Sequence, residues 1–192
     1  MKSKRSDIIR SSMCLFNKEG FLTPGVDRIS EESGVSKMTF YRYFSDKESL
    51  IKVILEDKLV SFISGIKENL NAKQSTREKL LSIFEYYSSW FNSSEFNGCM
   101  FTRAVVEFGN ANTDIGDINA KFKSELTNII RGILQECLKP EPSERIAFII
   151  VMLIDGAIAA TQSQKYSKME NPPATLAWMA AKAIIYSEGG VL

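Results

Sequence analysis

The 192-residue sequence contains no histidine. This absence excludes histidine-based catalytic triads, histidine general bases and histidine metal ligands together. Cysteine is also scarce, and the three residues, Cys14, Cys99 and Cys137, are irregularly spaced and form no C-x-x-C motif. The sequence therefore predicts neither a disulfide framework nor a zinc site, and a reduced, cytoplasmic setting is the simplest interpretation.

Catalytic motifs are missing as well. The sequence has neither a nucleophile elbow nor a glycine-rich phosphate-binding loop, so an enzyme would have to rely on carboxylates alone. We therefore expect no enzymatic activity, no cofactor and no metal.

Long apolar runs are absent too. The closest approach to a membrane span is IAFIIVMLIDGAIAA at residues 146–160, which is short and contains Asp155. It predicts a buried helix, and the N-terminal MKSKRSD leads into an amphipathic helix rather than an apolar signal segment. Because no strand pattern or internal repeat is present, the expected fold is all-α, with about nine helices.

The net charge is only +1, but it is unevenly distributed. Residues 1–52 carry ten Lys and Arg against seven Asp and Glu, whereas the rest of the chain carries fourteen against sixteen. A positive excess on one part of a chain is what an electrostatic contact with DNA requires, although three charges are a weak signal alone.

The most informative stretch is 26–47, which predicts two short helices around a tight turn. In its first half, apolar or small residues recur at i, i+3, i+4 and i+7 until Gly34 ends the pattern. Ser36 is a candidate N-cap for the second helix, in which Phe40 and Phe44 share the core side. The remaining residues form an outward face, and a short helix with such a face suits the DNA major groove.

A third helix is predicted directly afterwards. Ser45 and Glu48 have the spacing of a capping box, which places Lys47 at a helix start that also favours phosphate. The residues expected to contact DNA are Lys37, Met38, Thr39, Tyr41, Arg42, Tyr43 and Lys47.

The segment from Ile8 to Leu50 closely resembles the N-terminal DNA-binding domain of the TetR family of transcriptional repressors. Glycine, aromatic and lysine positions match together over more than forty residues, namely Ile8, Phe16, Gly20, Val26, Ile29, Gly34, Val35, Ser36, Thr39, Phe40, Tyr41, Arg42, Tyr43, Phe44, Lys47 and Leu50. The resemblance implies a DNA-binding domain at residues 1–48 and an effector-binding and dimerisation domain at residues 49–192. It further implies a homodimer that binds a palindromic double-stranded DNA operator and releases it when a small-molecule effector enters the larger domain.

Beyond Leu50 the apolar periodicity predicts further helices. A long helix reaches about Asn71, a second capping box at Ser75 and Glu78 opens the next helix, and residues 92–98 form a loop. The helices expected after that loop are 99–108, closed by a turn at 109–112, then 117–138, ended by Pro140 and Pro142, then about 143–166, and finally about 172–187.

The last two predicted helices are apolar on most sides and rich in alanine. Helices of this kind need partners on more than one side, and small side chains allow close approach. The resemblance implies that they form the dimer interface as a four-helix bundle, and the composition supplies an independent physical reason for it.

Arg103 and Glu107 lie four residues apart in a short apolar helix. Two interpretations stay open: a structural or solvated pair, which contributes a few tenths of a kcal/mol on a surface, or polar groups that orient a ligand. The resemblance would group this helix around an internal pocket, which gives the candidate ligand-binding set Trp90, Phe91, Met100, Arg103, Glu107, Phe122 and Met152. For each apolar member, simple core packing is the alternative.

The function expected from these observations is a ligand-responsive, DNA-binding transcriptional regulator, most simply a repressor. The alternative is a helical dimeric adaptor without DNA binding, and retention on DNA at moderate salt would separate the two.

Overall fold

The computed structural model describes residues 3–108, 113–163 and 171–192. Within these ranges the chain forms nine α-helices and no β-strand, which confirms the all-α prediction. The helices are α1 Lys4–Glu19, α2 Val26–Ser33, α3 Lys37–Tyr43, α4 Lys47–Leu70, α5 Thr76–Phe91, α6 Met100–Phe108, α7 Thr113–Leu134, α8 Pro140–Gln162 and α9 Pro173–Ser187.

The helices form two compact units. The first consists of Met1–Val60 and Cys99–Ala120, and the second of Ser61–Gly98 and Lys121–Leu192. The functional boundary expected near residue 48 stays a prediction, because this division describes packing alone.

The first unit has a core of large apolar side chains from its N-terminal helices. Ile8, Phe16, Ile29, Phe40 and Leu50 have no exposed surface. Burial of a large apolar side chain contributes about 1.5–3 kcal/mol. Burial of these side chains therefore stabilises the packing of α1, α2 and α3, and it fixes which side of α3 faces outward.

In the second unit, α8 and α9 pack along each other, and α5 packs against both. The rings of Phe84 on α5 and Trp178 on α9 lie 5.4 Å apart. The predicted capping box at Ser75 and Glu78 is present at the start of α5.

The start of α4 differs from the prediction by one residue. The cap is Asp46, whose Oδ1 accepts the Ser49 N–H at 2.7 Å, while the Asp46 N–H donates to the Ser49 Oγ at 3.3 Å. The hydrogen bond from the Ser49 N–H lowers the pKa of Asp46 below its ordinary value. The predicted box of Ser45 and Glu48 was wrong because two overlapping boxes share this sequence, and pattern alone does not choose between them.

The bounds of α7 and α8 also differ. α7 ends at Leu134, and α8 already begins at Pro140. The two prolines therefore belong to the first turn of α8, where their missing N–H groups would have no intrahelical acceptor. The predicted turn at 109–112 and the predicted end of α8 at Tyr166 lie outside the described residues.

Among the helices that the structure describes, none is long and apolar enough to cross a membrane.

Candidate DNA-binding surface

The turn between α2 and α3 is built as the sequence predicts. Gly34 adopts the left-handed conformation, with φ at +64°, which glycine reaches without steric cost. The N–H groups of Gly34 and Val35 donate to carbonyls at the end of α2, at 3.1 and 3.0 Å. α3 begins after Ser36, whose Oγ accepts the Thr39 N–H at 3.2 Å. The chain thus reverses within a few residues and fixes α3 against α2.

The outward face of α3 follows from the burial of its aromatic side. Phe40 and Phe44 are buried, with ring centroids 5.8 Å apart. Met38 is 85% exposed and Tyr41 54% exposed. Lys37 and Arg42 are also exposed, whereas Thr39 and Tyr43 are half-buried.

Both cations on this face have partners that orient them. The Lys37 Nζ lies 2.5 Å from the Asp27 Oδ1, and this hydrogen bond raises the pKa of Lys37 above its ordinary value. The Arg42 guanidinium lies over the Tyr43 ring, 5.3 Å from its centroid. Sequence reasoning did not identify Asp27, because no local pattern links it to Lys37.

Lys47 is the first residue of α4 and is half-buried. Its Nζ donates to the carbonyl oxygens of Phe21, at 3.0 Å, and Leu22, at 3.2 Å. An ammonium group has three N–H donors, and these two bonds use two of them. The expected contact of Lys47 with a DNA phosphate stays a prediction.

Arg103 and Glu107 bind main-chain groups of the first unit. The Arg103 Nη1 donates to the carbonyl oxygens of Phe16, at 3.2 Å, and Asn17, at 2.9 Å. The Glu107 Oε2 accepts the N–H groups of Phe21, at 2.7 Å, and Leu22, at 2.9 Å. These partners favour the structural interpretation of the pair over the ligand-orienting one.

Three of the other candidate ligand residues share one aromatic cluster in the second unit. Trp90 and Phe122 lie 5.5 and 5.8 Å from the ring of Phe62, and Phe91 lies 5.8 Å from Trp90. Phe122 is buried, whereas Trp90 and Phe91 keep part of their surface. Met100 is buried in the first unit.

Met152 lies apart from that cluster, on the surface of α8, where it is 59% exposed. It borders an open depression of about 320 Å³ between α8 and α9, lined mainly by small and apolar residues. Other large apolar side chains that remain exposed on these helices are Phe148, Leu176, Met179 and Tyr186. We call this the α8–α9 apolar face.

Two helices joined by a glycine turn, the second with an outward polar and cationic face, are the geometry of a helix-turn-helix DNA-binding protein. Such a surface offers hydrogen bonds and positive charge to a nucleic acid. In the described part of the chain, no three Cys, Asp or Glu residues come together as a metal ion would require.

Comparisons with known proteins agree with this class. Residues 8–54 match the family model of bacterial regulatory proteins of the tetR family. The chain is 29% identical over 140 residues to the fatty acid metabolism regulator protein of Bacillus subtilis, covering 71% of this chain and 70% of that relative. It is 26% identical over 84 residues to the HTH-type transcriptional activator FasR of Mycolicibacterium smegmatis, covering 44% and 38%.

Solved structures show the same fold over nearly the whole chain. SCO4454, a TetR-family transcriptional regulator from Streptomyces coelicolor, superposes with a TM-score of 0.86 at 20% identity, covering 96% of this chain and 89% of that one. The reduced form of E. coli NemR gives a TM-score of 0.79 at 20% identity, covering 94% and 95%. Residues 8–54 therefore form a tetR-family N-terminal domain, and the chain is a transcriptional regulator with the fold of TetR-family proteins.

Proposed function

We propose that this regulator is a repressor that binds a palindromic operator as a homodimer and releases it when a small molecule binds. The observation that carries the DNA-binding part is the exposed face of α3, where Lys37, Met38 and Arg42 point away from the buried Phe40 and Phe44. Thr39 and Tyr43 flank this face, and Tyr41 extends it.

The α8–α9 apolar face supports the dimer. Contiguous exposed apolar side chains beside small residues are typical of a surface that another protein covers. A two-fold axis through this face would bring the same residues of two protomers together and present two copies of α3. The operator would then consist of two half-sites about one helical turn of DNA apart, or a multiple of it.

The aromatic cluster supports an apolar effector. Trp90 and Phe91 also contact Phe96, at ring distances of 4.9 and 5.2 Å, so several aromatic faces converge on one region. Ligand sites in proteins are lined mainly by such side chains. One relative is named a fatty acid metabolism regulator, which makes fatty acids the first compounds to test.

The DNA-binding proposal is tested by selecting bound duplexes from a random library and measuring their affinity at moderate salt. We expect a palindromic sequence that competes with random DNA, and weaker discrimination between bases in Lys37→Ala and Thr39→Ala. A wild-type protein that retains no DNA at moderate salt would instead support the adaptor without DNA binding.

The sign of regulation needs a separate assay, since one relative is named an activator. Transcription in vitro from a promoter that contains the selected operator should fall when the protein is added. An increase would contradict the repressor assignment and leave the DNA-binding assignment intact.

The effector proposal is tested by titrating palmitate while recording tryptophan fluorescence and operator release. Trp178 is buried against Phe84, so a Trp90→Phe variant separates the two tryptophan signals. We expect a change in the wild type that is absent from this variant. Release without any change in Trp90 emission would remove the cluster as the site.

A further inference from the structure

The loop between α1 and α2 is bound by a carboxylate from the far end of α6. Gly20 ends α1 with φ at +83°, and its N–H donates to the Phe16 carbonyl at 3.1 Å. The next two N–H groups, of Phe21 and Leu22, both reach the Glu107 Oε2, at 2.7 and 2.9 Å. Consecutive main-chain N–H groups around one anion form a nest, a recurrent anion-binding arrangement. Here the anion is a side chain of the protein itself.

The other side of this two-residue segment is bound by a cation, and the Phe21–Leu22 peptide group, which supplies the Phe21 carbonyl and the Leu22 N–H, is bound at both ends. The carbonyl oxygens of Phe21 and Leu22 accept from the Lys47 Nζ, at 3.0 and 3.2 Å. Charges of opposite sign at the two sides of a hydrogen-bonded segment polarise it, so each set of bonds strengthens the other. A two-residue segment therefore connects Glu107 on α6 with the first residue of α4.

The sequence of the loop is suited to this contact. A Cβ atom at residue 20 would lie 2.6 Å from the Glu107 Oε1, closer than side-chain atoms approach. The positive φ favours glycine at this position, and a larger residue would also displace the Glu107 carboxylate. The Phe21 ring is buried, 5.2 Å from Phe16 and 6.2 Å from Phe108, so the segment is also held by packing.

A second contact fixes α6 to α1. One turn before Glu107, Arg103 donates to the carbonyl oxygens of Phe16 and Asn17 in the last turn of α1. Helix C-terminal carbonyls lack intrahelical donors, and a cation there also opposes the negative dipole end. Both charged groups of α6 therefore bind main-chain atoms. Substitution of a side chain in the loop would leave these partners in place.

We propose that Glu107 is a positioning residue for DNA binding, which acts through the Phe21 and Leu22 peptide groups on Lys47 and hence on the start of α4. Only Phe44, Ser45 and Asp46 separate Lys47 from the end of α3, so the position of Lys47 limits where the outward face of α3 can lie. The proposal rests on the proposed DNA-binding function and assigns Glu107 no contact with DNA or effector.

The test compares Glu107→Gln with Glu85→Gln, an exposed glutamate on α5 that serves as the matched control. Glu107→Gln keeps the shape and one oxygen acceptor but removes the charge. We expect about a tenfold loss of operator affinity, equivalent to about 1.4 kcal/mol. Affinity for random DNA should stay within about twofold, because attraction to phosphates depends on the number of charges rather than on the position of α3. Glu107→Ala should lose more, so that Gln acts as a partial rescue.

Two further measurements separate positioning from general destabilisation. Hydrogen exchange of the Phe21 and Leu22 amides should accelerate in Glu107→Gln, while amides of the α3 core around Phe40 keep their protection. In a Lys47→Met background the same Glu107→Gln change should cost less than about twofold in operator affinity, because the residue through which it acts is gone.

The outcomes distinguish the two proposals. If wild-type protein binds no operator, the DNA-binding function fails and the positioning role with it. If the wild type binds operator, and Glu107→Gln accelerates exchange of the two amides yet binds operator within twofold of wild type, the positioning role alone is refuted. An undiminished effect of Glu107→Gln in the Lys47→Met background would likewise refute transmission through Lys47.

Discussion

Replacement of Met152 by glutamate should dissociate the proposed dimer. Full burial of a methionine side chain contributes about 1.5–3 kcal/mol, and Met152 still exposes 59% of its surface, so covering it contributes about 0.9–1.8 kcal/mol per protomer. A two-fold interface uses the residue twice, which doubles that contribution. Glu in its place also brings two carboxylates into an apolar contact, with a desolvation cost of several kcal/mol per ion.

The combined loss for Met152→Glu is at least about 4 kcal/mol per dimer, or about a thousandfold in the dimer dissociation constant. Sedimentation velocity over a concentration series measures this directly. Val60→Glu is the matched control, because Val60 is an exposed valine on α4, outside the α8–α9 apolar face. A Met152→Glu protein that stays dimeric to within threefold of the control would refute this interface. Thermal unfolding should change little at a concentration where both proteins are monomeric, since Met152 is not part of the core.

Four other predictions concern single side chains. Asp46→Ala should reduce the free energy of unfolding by about 1 kcal/mol through loss of the α4 cap, whereas Ser45→Ala should be nearly neutral in the same urea titration; equal effects would contradict the assignment of the cap. Arg42→Ala should lower the slope of log affinity against log salt by about 0.9 if the guanidinium contacts a phosphate, and an unchanged slope would count against that contact. The N–H groups of Ser75 and Gln74 hold the pKa of Glu78 below its ordinary value of 4.5, so the stabilisation by this carboxylate is present above that value and is lost as pH falls through the lowered pKa. Glu78→Gln should therefore lower the melting temperature more at pH 7 than at pH 3. An equal decrease at the two pH values would refute the linkage. Ser12 is fully buried with an unpartnered Oγ, so Ser12→Ala should leave the free energy of unfolding unchanged or raise it by up to about 1 kcal/mol; a clear loss would reveal a hydrogen-bond partner.

Much of the first unit could be predicted because its signals are local. Gly34 and Ser36 are read correctly, since a left-handed residue and an N-cap depend on the few residues around them. The burial of Phe40 and Phe44 follows from their spacing alone. The outward face of α3 needs no information from elsewhere in the chain.

The roles of Arg103 and Glu107 could not be read from the sequence in the same way. Their hydrogen-bond partners lie more than eighty residues earlier, and the partners are main-chain atoms, which any side chain would supply. Spacing within α6 shows only that the two charges share a face. Whether that face meets a ligand, water or the end of another helix is decided by tertiary packing.

Met152 illustrates a different limit. α8 is apolar on most of its circumference, so periodicity does not distinguish the side that packs within the chain from the side that stays exposed. Pro140 and Pro142 show a similar ambiguity about where along the chain one helix ends and the next begins. A proline both ends one helix and fits the first turn of the next, and only the actual course of the chain selects between the two.

Gly20 has a consequence for genetics. Under the proposed repressor function, a screen for loss of repression should recover substitutions at this residue together with substitutions on α3, because both would weaken operator binding. The binding defect of a substitution at residue 20 would nevertheless come from displacement of the Glu107 carboxylate rather than from loss of a DNA contact. We therefore expect the operator-binding defects of Gly20→Ala and Glu107→Gln not to add, because both disturb the same carboxylate contact, whereas suppressors of α3 alleles should arise in the operator.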